Sequence, residues 1–386
     1  MFKNIQIAFQ DKSNKDLNRA YILFKAINNP FISKTLTIIL KIAIWIRLPI
    51  NNLITSTIYQ HFCGGTTIEN SETKIKKLWT SNIGTILDFS SERKVKESEF
   101  IQVMNETIKT IQKAKNKEEI PFAVFKPSGI VRFEILKKMN EGKQLTDIEE
   151  TEKDDFIYRL ENICKVASEC EVACFIDAEE SWIQDVIDDI ALKMMRRFNK
   201  KRAIIFNTLQ MYRKDRVQYL RKIIKDSKER KYILGLKIVR GAYHEKEIER
   251  SKLRNYKCPV YINKKQTDTE YNKALKICIE NINQISICAG THNEYSSGLL
   301  VKLMKENNIM KNDNRVYFSQ LLGMSDHISY NAAKAGFNVA KYVPYGPIKD
   351  MIPYLIRRAE ENTSISGQIG RELQQIILEK KRRKKG

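Results

Sequence analysis

From residue 84 onward, the chain alternates short apolar runs with polar loops and longer amphipathic segments. The amphipathic segments, such as DVIDDIALKMMRRFN and DRVQYLRKIIKDSKER, carry apolar residues at helical spacing. The apolar runs have the length of strands, and eight of them occur: TILDFS (85–90), FAVFK (122–126), VACFID (172–177), AIIFN (203–207), LGLKIVR (234–240), ISICAG (285–290), RVYFSQ (315–320) and FNVAKY (337–342). Strands that alternate with helices predict an α/β fold with a parallel sheet and right-handed crossovers. Eight such units in about 260 residues favour a (β/α)8 TIM-type barrel, with a doubly wound open sheet as the alternative.

The rest of the chain is predicted to flank this barrel. Residues 1–80 form an N-terminal helical arm, residues 81–366 the barrel, and residues 367–386 a C-terminal helix with a basic tail. The end of that tail, EKKRRKKG, is expected to be solvated and disordered. Within the arm, the apolar stretch from Leu36 to Ile54 is too short and too interrupted by charge to span a bilayer. We expect it to pack on the protein as an amphipathic helix, and a helix on a membrane surface is the second interpretation.

The chain is strongly basic, with 68 Lys and Arg residues against 46 Asp and Glu residues and a formal net charge of +22. Such a charge favours anionic partners, namely nucleic acid, phosphate-bearing ligands or an acidic membrane. The lysines are spread along the whole chain, however, and Ile and Asn are abundant as well. A compositional bias therefore explains the charge more simply than a single function does.

The sequence gives no support for several common classes of site. The seven cysteines include no CxxC pair, so reduced thiols in a cytosolic compartment are expected. None of the four histidines stands at ligand spacing from a cysteine pair, and no metal site is expected. GxGxxG, GxxxxGKS/T and GxSxG patterns do not occur, which leaves a Rossmann dinucleotide site, a P-loop and a nucleophile elbow unsupported.

Polar side chains gather where the predicted strands end, which is where the sites of such barrels lie. They are Lys126, Asp177, Glu179, Asn207, Gln210, Lys237, Arg240, Tyr243, Thr291, His292, Asn293, Gln320 and Tyr342. Cationic and amide groups dominate this set, and Asp177 is a carboxylate directly at a strand end. Such a site suits a ligand that carries a phosphate or a carboxylate.

The last predicted helix of the barrel carries two adjacent arginines in an apolar setting. Tyr354, Arg357, Arg358 and Glu361 are spaced i, i+3, i+4 and i+7, which places them on or beside one stripe. Two guanidiniums can bind one carboxylate through paired hydrogen bonds, whereas an exposed salt bridge with Glu361 is the simpler interpretation. Pro344 and Pro347 stiffen the exit from the eighth strand, which favours a helix folded back over the barrel.

Over residues 55 to 366, the sequence resembles the proline dehydrogenase family. The segments that carry the resemblance are FIDAEESW (175–182), IFNTLQMYRKD (205–215), LKIVRGAYHEKE (236–247), GTHNEYS (290–296), VYFSQLLGMSD (316–326) and VAKYVPYGPIKDMIPYLIRRAEENTS (339–364). YQHFCGGTTIENS (59–71) is similar to the N-terminal arm of the monofunctional, mitochondrial-type branch.

The resemblance implies a distorted (β/α)8 barrel that binds FAD at the C-terminal ends of the strands. It implies substrate contacts from Lys126, Asp177, Tyr342, Tyr354, Arg357, Arg358 and Glu361, and FAD contacts from Ala178, Gln210, Lys237, Arg240, Gly241, Ala242, Thr291, His292 and Gln320. Asp177 and Lys237 are the catalytic candidates. Many bacterial relatives have arginine in place of Lys237, and Pro127 replaces a small or β-branched residue after Lys126, so these two positions depart from the family pattern.

The implied reaction is FAD-dependent oxidation of L-proline to Δ1-pyrroline-5-carboxylate, the first step of proline catabolism toward glutamate, with a membrane quinone as electron acceptor. The expected location of the protein is the cytoplasm, with peripheral contact to the inner face of the membrane that holds the quinone. A related dehydrogenase acting on 4-hydroxyproline is the nearest competitor, and Tyr342 argues against it because its ring would crowd a ring hydroxyl. A nucleic-acid-binding protein is suggested by charge alone and fits the strand-end residues poorly.

Overall fold

The computed structural model describes residues 1–29, 31–32, 35, 58–90, 94–364 and 368–385, with the side chains of 359–364, 368 and 369 excluded. The strands are β1 (Ile83–Phe89), β2 (Phe122–Phe125), β3 (Ala173–Ile176), β4 (Ile205–Gln210), β5 (Leu234–Val239), β6 (Ile285–Gly290), β7 (Val316–Leu321) and β8 (Val339–Tyr345). The helices are α1 (Ile5–Ala8), α2 (Asn14–Ile27), α3 (Gln60–Phe62), α4 (Ile68–Trp79), α5 (Glu97–Ala114), α6 (Phe133–Asn140), α7 (Asp147–Glu169), α8 (Ser181–Phe198), α9 (Arg216–Arg230), α10 (His244–Leu253), α11 (Lys264–Glu280), α12 (Glu294–Glu306), α13 (Asp326–Lys334), α14 (Ile348–Ser364) and α15 (Gln368–Lys385).

The eight strands form one closed parallel barrel in chain order, as the hydrophobic pattern predicted. Closure comes from pairing of the first and last strands, in a register that runs from Ile83 opposite Val339 to Phe89 opposite Tyr345. A doubly wound open sheet has no such pairing, so that alternative is wrong. Closure brings the C-terminal ends of all eight strands to one rim, and the polar strand-end residues come with them.

The barrel interior is layered because alternate residues of each strand point inward. An aromatic layer lies at mid-height, where the Phe122 and Phe175 rings stack with centroids 4.5 Å apart and Phe206 meets both rings edge to face. Two residues beyond Phe175, on the same face of β3, stands Asp177. The polar layer therefore rests on an apolar floor, which excludes water from beneath it.

The two ends of the chain form a second hydrophobic core outside the barrel. Phe24 of α2, Phe62 of α3, Tyr354 and Leu355 of α14 and Ile376 of α15 are among its buried members. This core holds α14, the helix with the paired arginines, against the N-terminal arm. The position of α14 therefore depends on both chain ends as well as on the barrel.

The basic end of the chain is helical, so the expectation of a disordered tail is wrong. Helix α15 continues to Lys385. Glu379 is fully buried and pairs with Arg382 and Arg383, and Arg383 Nη2 also donates to the carbonyl of Phe9 at 2.9 Å. The ion pairs within α15 and the bond to Phe9 together offset the repulsion among the cations.

The predicted amphipathic stretch from Leu36 to Ile54 lies outside the described residues. Among the helices of the described ranges, none is long and apolar enough to cross a membrane.

The N-terminal arm holds the turn between β8 and α14. Gly346, in the left-handed region at φ +139°, donates its N–H to the carbonyl of Gly65 at 3.0 Å. Its own carbonyl accepts from Tyr59 Oη at 3.0 Å. Only glycine adopts this conformation at little cost, so Gly346 permits the reversal that returns α14 over the barrel rim.

Candidate active site

A buried cluster of charged groups occupies the centre of the rim. Lys126 Nζ lies 3.2 Å from Asp177 Oδ2 and 3.2 Å from Asp88 Oδ2, while Lys237 Nζ pairs with Asp177 Oδ1. Tyr342 Oη donates to Asp177 Oδ2 at 2.7 Å. Four of these five residues were predicted from the sequence, and the structure brings them together from β2, β3, β5 and β8. The two lysines balance the two carboxylates, which makes burial of four charges tolerable.

Asp88 is the member of this cluster that sequence reasoning missed. It stands near the C-terminal end of β1, two residues after the inward-facing Ile86, and is 3% exposed. A carboxylate at an inward position of a barrel strand was the available signal. It was overlooked because Asp88 lies inside the predicted run 85–90, whereas the candidate residues were taken from the ends of the runs.

The proline after Lys126 is compatible with the site. Pro127 occupies the first position of a short 3₁₀ turn, Pro127–Gly129, where its missing N–H costs nothing. Lys126 is extended, at φ −107° and ψ 130°, which is the conformation that a following proline favours. Glu179 accepts the N–H of Ser128 at 2.8 Å and fixes this turn against the end of β3. Pro127 therefore presets the backbone that directs Lys126 inward.

The lysines keep Asp177 ionised. Burial by itself would raise the pKa of Asp177, but Lys237 and Lys126, together with the hydrogen bond from Tyr342, outweigh burial and lower that pKa. Burial and the neighbouring carboxylates raise the pKa of Tyr342, so its hydroxyl remains a donor. The cluster thus presents a carboxylate, two ammonium groups and a phenol in a dry setting.

The other predicted cofactor residues lie beside this cluster, at the ends of β3 to β7. Arg240 donates to Asp268 Oδ1 at 2.6 Å and to Thr291 Oγ1 at 2.6 Å, and its guanidinium carbon stands 4.3 Å from the Tyr271 ring centroid. A guanidinium held on three sides is a rigid donor for an anion.

Two glutamines connect neighbouring strand ends. Gln210 donates to the Glu179 carbonyl at 2.7 Å and accepts the N–H of Ala242 at 3.1 Å. Gln320 donates to the Thr291 carbonyl at 3.1 Å. Next to Ala242, Gly241 has φ +139°, and a Cβ there would lie 2.6 Å from the ring of Tyr212. Ala178 is half-buried beside Asp177.

His292 belongs to a buried network that reaches the last helix. Its Nδ1 lies 3.0 Å from Ser325 Oγ, and the backbone N–H of Ser325 donates to Glu372 Oε1 at 2.7 Å. Burial and the nearby cations Lys341 and Arg358 lower the pKa of His292 to about 3, so the ring is neutral. Sequence reasoning missed Ser325 and Glu372, because nothing local to either residue indicates a contact with β6.

Glu372 should make the free energy of unfolding depend on pH. Burial raises its pKa from 4.5 to about 7, and Asp326 acts in the same direction, against Ser325 and Lys341. Between these two pKa values the folded state holds a proton that the unfolded chain has released. The contribution of Glu372 to stability is therefore complete below pH 4.5 and is lost as pH rises through about 7. In urea unfolding at several pH values, Glu372→Gln should lack this fall. Equal pH slopes for both proteins would contradict the prediction.

The predicted substrate helix lies at the same end of the barrel. Arg358 is 6% exposed, with its guanidinium carbon 4.8 Å from the ring centroid of the buried Tyr354. Arg357 is half-buried. Glu361 lies within α14, but its side chain is outside the described part. The burial of Arg358 argues against the exposed salt bridge considered from the sequence.

The donors at the rim fit FAD, which offers phosphate oxygens, hydroxyls and the polar edge of its ring system. Arg240, Thr291 and the two glutamines supply a fixed cation, a hydroxyl and amide groups in one arc from β4 to β7, and the neutral imidazole of His292 lies in the same arc. Lys237 adds a buried cation at the inner end of that arc. This set of donors is the kind that an anionic dinucleotide needs.

Comparison with known proteins agrees with this geometry. The family model described as Proline dehydrogenase matches residues 71–371. The chain belongs to the proline dehydrogenase family. This membership identifies it as an enzyme of proline oxidation in proline catabolism.

Several curated proteins resemble the chain over most of its length. Proline dehydrogenase 1, mitochondrial, of Dictyostelium discoideum is 31% identical over 406 residues, covering 93% of this chain and 71% of that protein. The carbapenem antibiotics biosynthesis protein CarD of Pectobacterium carotovorum subsp. carotovorum is 32% identical over 311 residues, covering 81% of this chain and 80% of that protein. The Drosophila melanogaster proline dehydrogenase 1, mitochondrial, is 35% identical, and the match spans 37% of its length.

Solved structures confirm the fold of this proline dehydrogenase family member. Proline utilization A (PutA) from Bdellovibrio bacteriovorus superposes with a TM-score of 0.74 at 18% identity. The superposition covers 94% of this chain and 38% of the PutA chain. This likeness supports the barrel fold.

Proposed function

We propose that the protein oxidises L-proline to Δ1-pyrroline-5-carboxylate, with FAD as the hydride acceptor and a quinone as the final electron acceptor. The observation that carries the proposal is the buried cluster of Lys126, Asp177, Lys237 and Tyr342 on the same rim as Arg358. Together with family membership, this arrangement of cations around one carboxylate favours a small zwitterionic substrate.

In this proposal, the chain orients proline through its charges. Arg357 and Arg358 receive the substrate carboxylate, and the Tyr354 ring supports the Arg358 guanidinium. The resemblance to the family assigns the substrate amine to Glu361. Tyr342 and Lys126 line the ring of proline. These contacts convert binding energy into a fixed orientation, which is the main contribution a protein makes to hydride transfer.

Asp177 positions groups rather than removing a proton. Its lowered pKa makes it a weak base, so it is poorly suited to take the proton of the proline amine. It instead holds Lys237 in place and accepts from Tyr342. When bound, FAD supplies hydride acceptance at its flavin ring, and Lys237 supplies positive charge beside that ring.

The cofactor residues follow from the same arrangement. Arg240 and Thr291 bind the anionic part of FAD, and Gln210 and Gln320 bind its polar edges, with His292 contributing its ring. Ala178, Gly241 and Ala242 contribute backbone at the ends of β3 and β5. These assignments agree with the donors that the rim presents.

A flavin spectrum tests the proposal. The purified protein, reconstituted with FAD if necessary, should be yellow and should bleach under anaerobic conditions when L-proline is added. The product should react with o-aminobenzaldehyde, which reports Δ1-pyrroline-5-carboxylate, and added quinone should restore the colour. D-proline serves as the control. An FAD-loaded protein that keeps its colour with L-proline would overturn the proposal.

Tyr342 is expected to set the preference for proline over 4-hydroxyproline. Tyr342 is 9% exposed and lies in a buried cluster with Ile86 and Phe122, so its ring cannot easily move away from a ring hydroxyl. Tyr342→Ser should lower the ratio of kcat/KM for proline to that for 4-hydroxyproline. Tyr342→Phe keeps the ring and serves as the matched control, with a ratio near wild type. If the serine variant keeps the wild-type ratio, Tyr342 does not line the substrate ring.

We further propose that the protein works in the cytoplasm and binds the inner face of an anionic membrane, where quinone is available. The net charge of +22 and the exposed Lys381, Lys384 and Lys385 of α15 support this location. A lysine near an anionic surface contributes about 1 kcal/mol.

Vesicle binding provides the measurement. The protein should co-sediment with vesicles of anionic lipid at low salt and much less with zwitterionic vesicles. Replacing Lys381, Lys384 and Lys385 by Gln should weaken binding by roughly 100-fold. No co-sedimentation of the wild type at low salt would mean that the charge is compositional.

A further inference from the structure

A buried carboxylate of the last helix is joined to His292 by one serine. Ser325 stands between them, with Oγ 3.0 Å from His292 Nδ1 and 3.2 Å from Glu372 Oε1. The backbone N–H of Ser325 donates to the same carboxylate oxygen at 2.7 Å. Glu372 is 4% exposed and Ser325 is fully buried, so water does not compete for these bonds.

The direction of these hydrogen bonds follows from the number of protons on Ser325. A hydroxyl donates one hydrogen bond and accepts others. Glu372 Oε1 takes the single Ser325 proton, because a carboxylate oxygen only accepts. Ser325 Oγ must therefore accept from His292. The imidazole proton then lies on Nδ1, and Nε2 carries the lone pair.

The charge states of His292 and Glu372 are compatible with these hydrogen-bond directions. His292 is neutral, since burial and neighbouring cations lower its pKa to about 3, so its ring carries one proton. Glu372, with a pKa raised by burial to about 7, gains a proton within the neutral range. That proton belongs on Oε2, because Oε1 already accepts from two groups of Ser325. The tautomer of His292 is therefore the same on either side of pH 7.

The backbone of Ser325 shows that its position is imposed by its surroundings. Ser325 adopts φ 52° and ψ 41°, in the left-handed region, which is unfavourable for a residue with a Cβ. Such a conformation persists where neighbouring contacts determine it. The bond from its N–H to Glu372 is the contact that α15 supplies.

We propose that Glu372 is a positioning residue that fixes the Nδ1–H tautomer of His292 through Ser325, so that Nε2 meets FAD as a hydrogen-bond acceptor. This inference rests on the proposed function, in which His292 contacts FAD. The part of FAD that meets Nε2 is then a hydroxyl or N–H group rather than a phosphate oxygen. Helix α15, which follows the barrel in sequence, thereby fixes the orientation of a hydrogen-bonding group in the cofactor site.

The tautomer is measured on the full chain without cofactor. NMR of protein labelled with ¹⁵N-histidine should show signals from four imidazoles, and the signal that disappears in His292→Gln belongs to His292. The wild-type ring should be protonated at Nδ1. Ser325→Ala and Glu372→Leu should shift the proton toward Nε2, and Glu372→Gln, which keeps an acceptor oxygen, should restore the wild-type signal.

FAD affinity is the second readout. Ser325→Ala and Glu372→Leu should each raise the Kd for FAD by roughly 2- to 10-fold, the effect of one misdirected neutral hydrogen bond. The double variant should lose no more than either single variant, because both act through one ring. Glu379→Leu is the matched control, since Glu379 is a buried glutamate of the same helix that pairs with Arg382 and Arg383. It should change neither the His292 signal nor the Kd.

The outcomes separate this inference from the proposed function. A wild-type His292 protonated at Nε2, or a tautomer unchanged in Ser325→Ala, would overturn the inference even if FAD binds and bleaches. A shifted tautomer with unchanged Kd would overturn it too, because His292 would then not meet FAD. Failure of the wild type to bind FAD would overturn the proposed function. If Glu372→Leu does not fold, Ser325→Ala alone decides.

Discussion

Arg358→Met is expected to lower kcat/KM for L-proline by about 10- to 150-fold, almost entirely through KM. Charge-assisted hydrogen bonds contribute roughly 1.5–3 kcal/mol, and about 1.4 kcal/mol corresponds to a factor of ten. Arg358 is buried against Tyr354, so its charge acts in a setting of low dielectric. Methionine keeps much of the volume and removes the donors. Because the substrate carboxylate keeps its charge during hydride transfer, ground state and transition state lose the same contact.

Arg357→Met should give a smaller loss in the same direction, because Arg357 is half-buried and better solvated. FAD content should stay near wild type in both variants, since the predicted cofactor residues lie on β3 to β7. Lys349→Met removes an exposed cation from the same helix and serves as the control, with unchanged KM. Wild-type KM values in both arginine variants would leave the pair without a role in substrate binding.

Asp177→Ala should destabilise the protein by about 3–5 kcal/mol, the typical cost of leaving a buried charge without its partner. Lys237 loses the carboxylate that it contacts, whereas Lys126 keeps Asp88. Since the lysines hold the pKa of Asp177 below its ordinary value, this stabilisation exists above the unfolded Asp pKa and disappears as pH falls through the lowered value. Guanidinium unfolding of apoprotein at pH 7 and in acid measures both effects.

A double variant distinguishes charge from packing. Asp177→Ala with Lys237→Met removes both partners of the pair, so it should be more stable than Asp177→Ala alone. Glu306→Ala, which breaks an exposed pair with Lys302, is the control and should cost less than about 1 kcal/mol. A double variant no more stable than Asp177→Ala would show that the side-chain volume, rather than the ion pair, matters at this position.

The hydrophobic pattern was sufficient for the barrel because a buried parallel strand is an almost continuous apolar run. All eight predicted strands exist, and their starts lie within two residues of the predicted ones. Their ends were harder to place. β4 continues through Thr208 to Gln210, and β8 continues through Pro344, because pairing with neighbouring strands extends them into polar residues and proline.

Contacts between distant parts of the chain could not be predicted from local patterns. Asp88 meets Lys126 because β1 pairs with β2 in a register that sets Asp88 opposite Val124, two residues before Lys126. The basic end of α15 appeared disordered because local charge repulsion was visible, whereas the contacts of Arg383 with Phe9 and Asn14 were not. Residue types and strand ends therefore identified most of the candidate site, while its supporting contacts required the three-dimensional arrangement.

The attachment of α15 to the first residues also bears on the order of folding. Arg383 Nη1 donates to Asn14 Oδ1 across 369 residues of sequence, beside the packing of α15 on α2. Loops of this size close slowly, so contacts between the chain ends form late. The barrel itself closes by pairing of β1 with β8, which needs no residue after Tyr345. During synthesis, the buried charged cluster at the rim can therefore assemble before α14, the proposed substrate helix, is fixed.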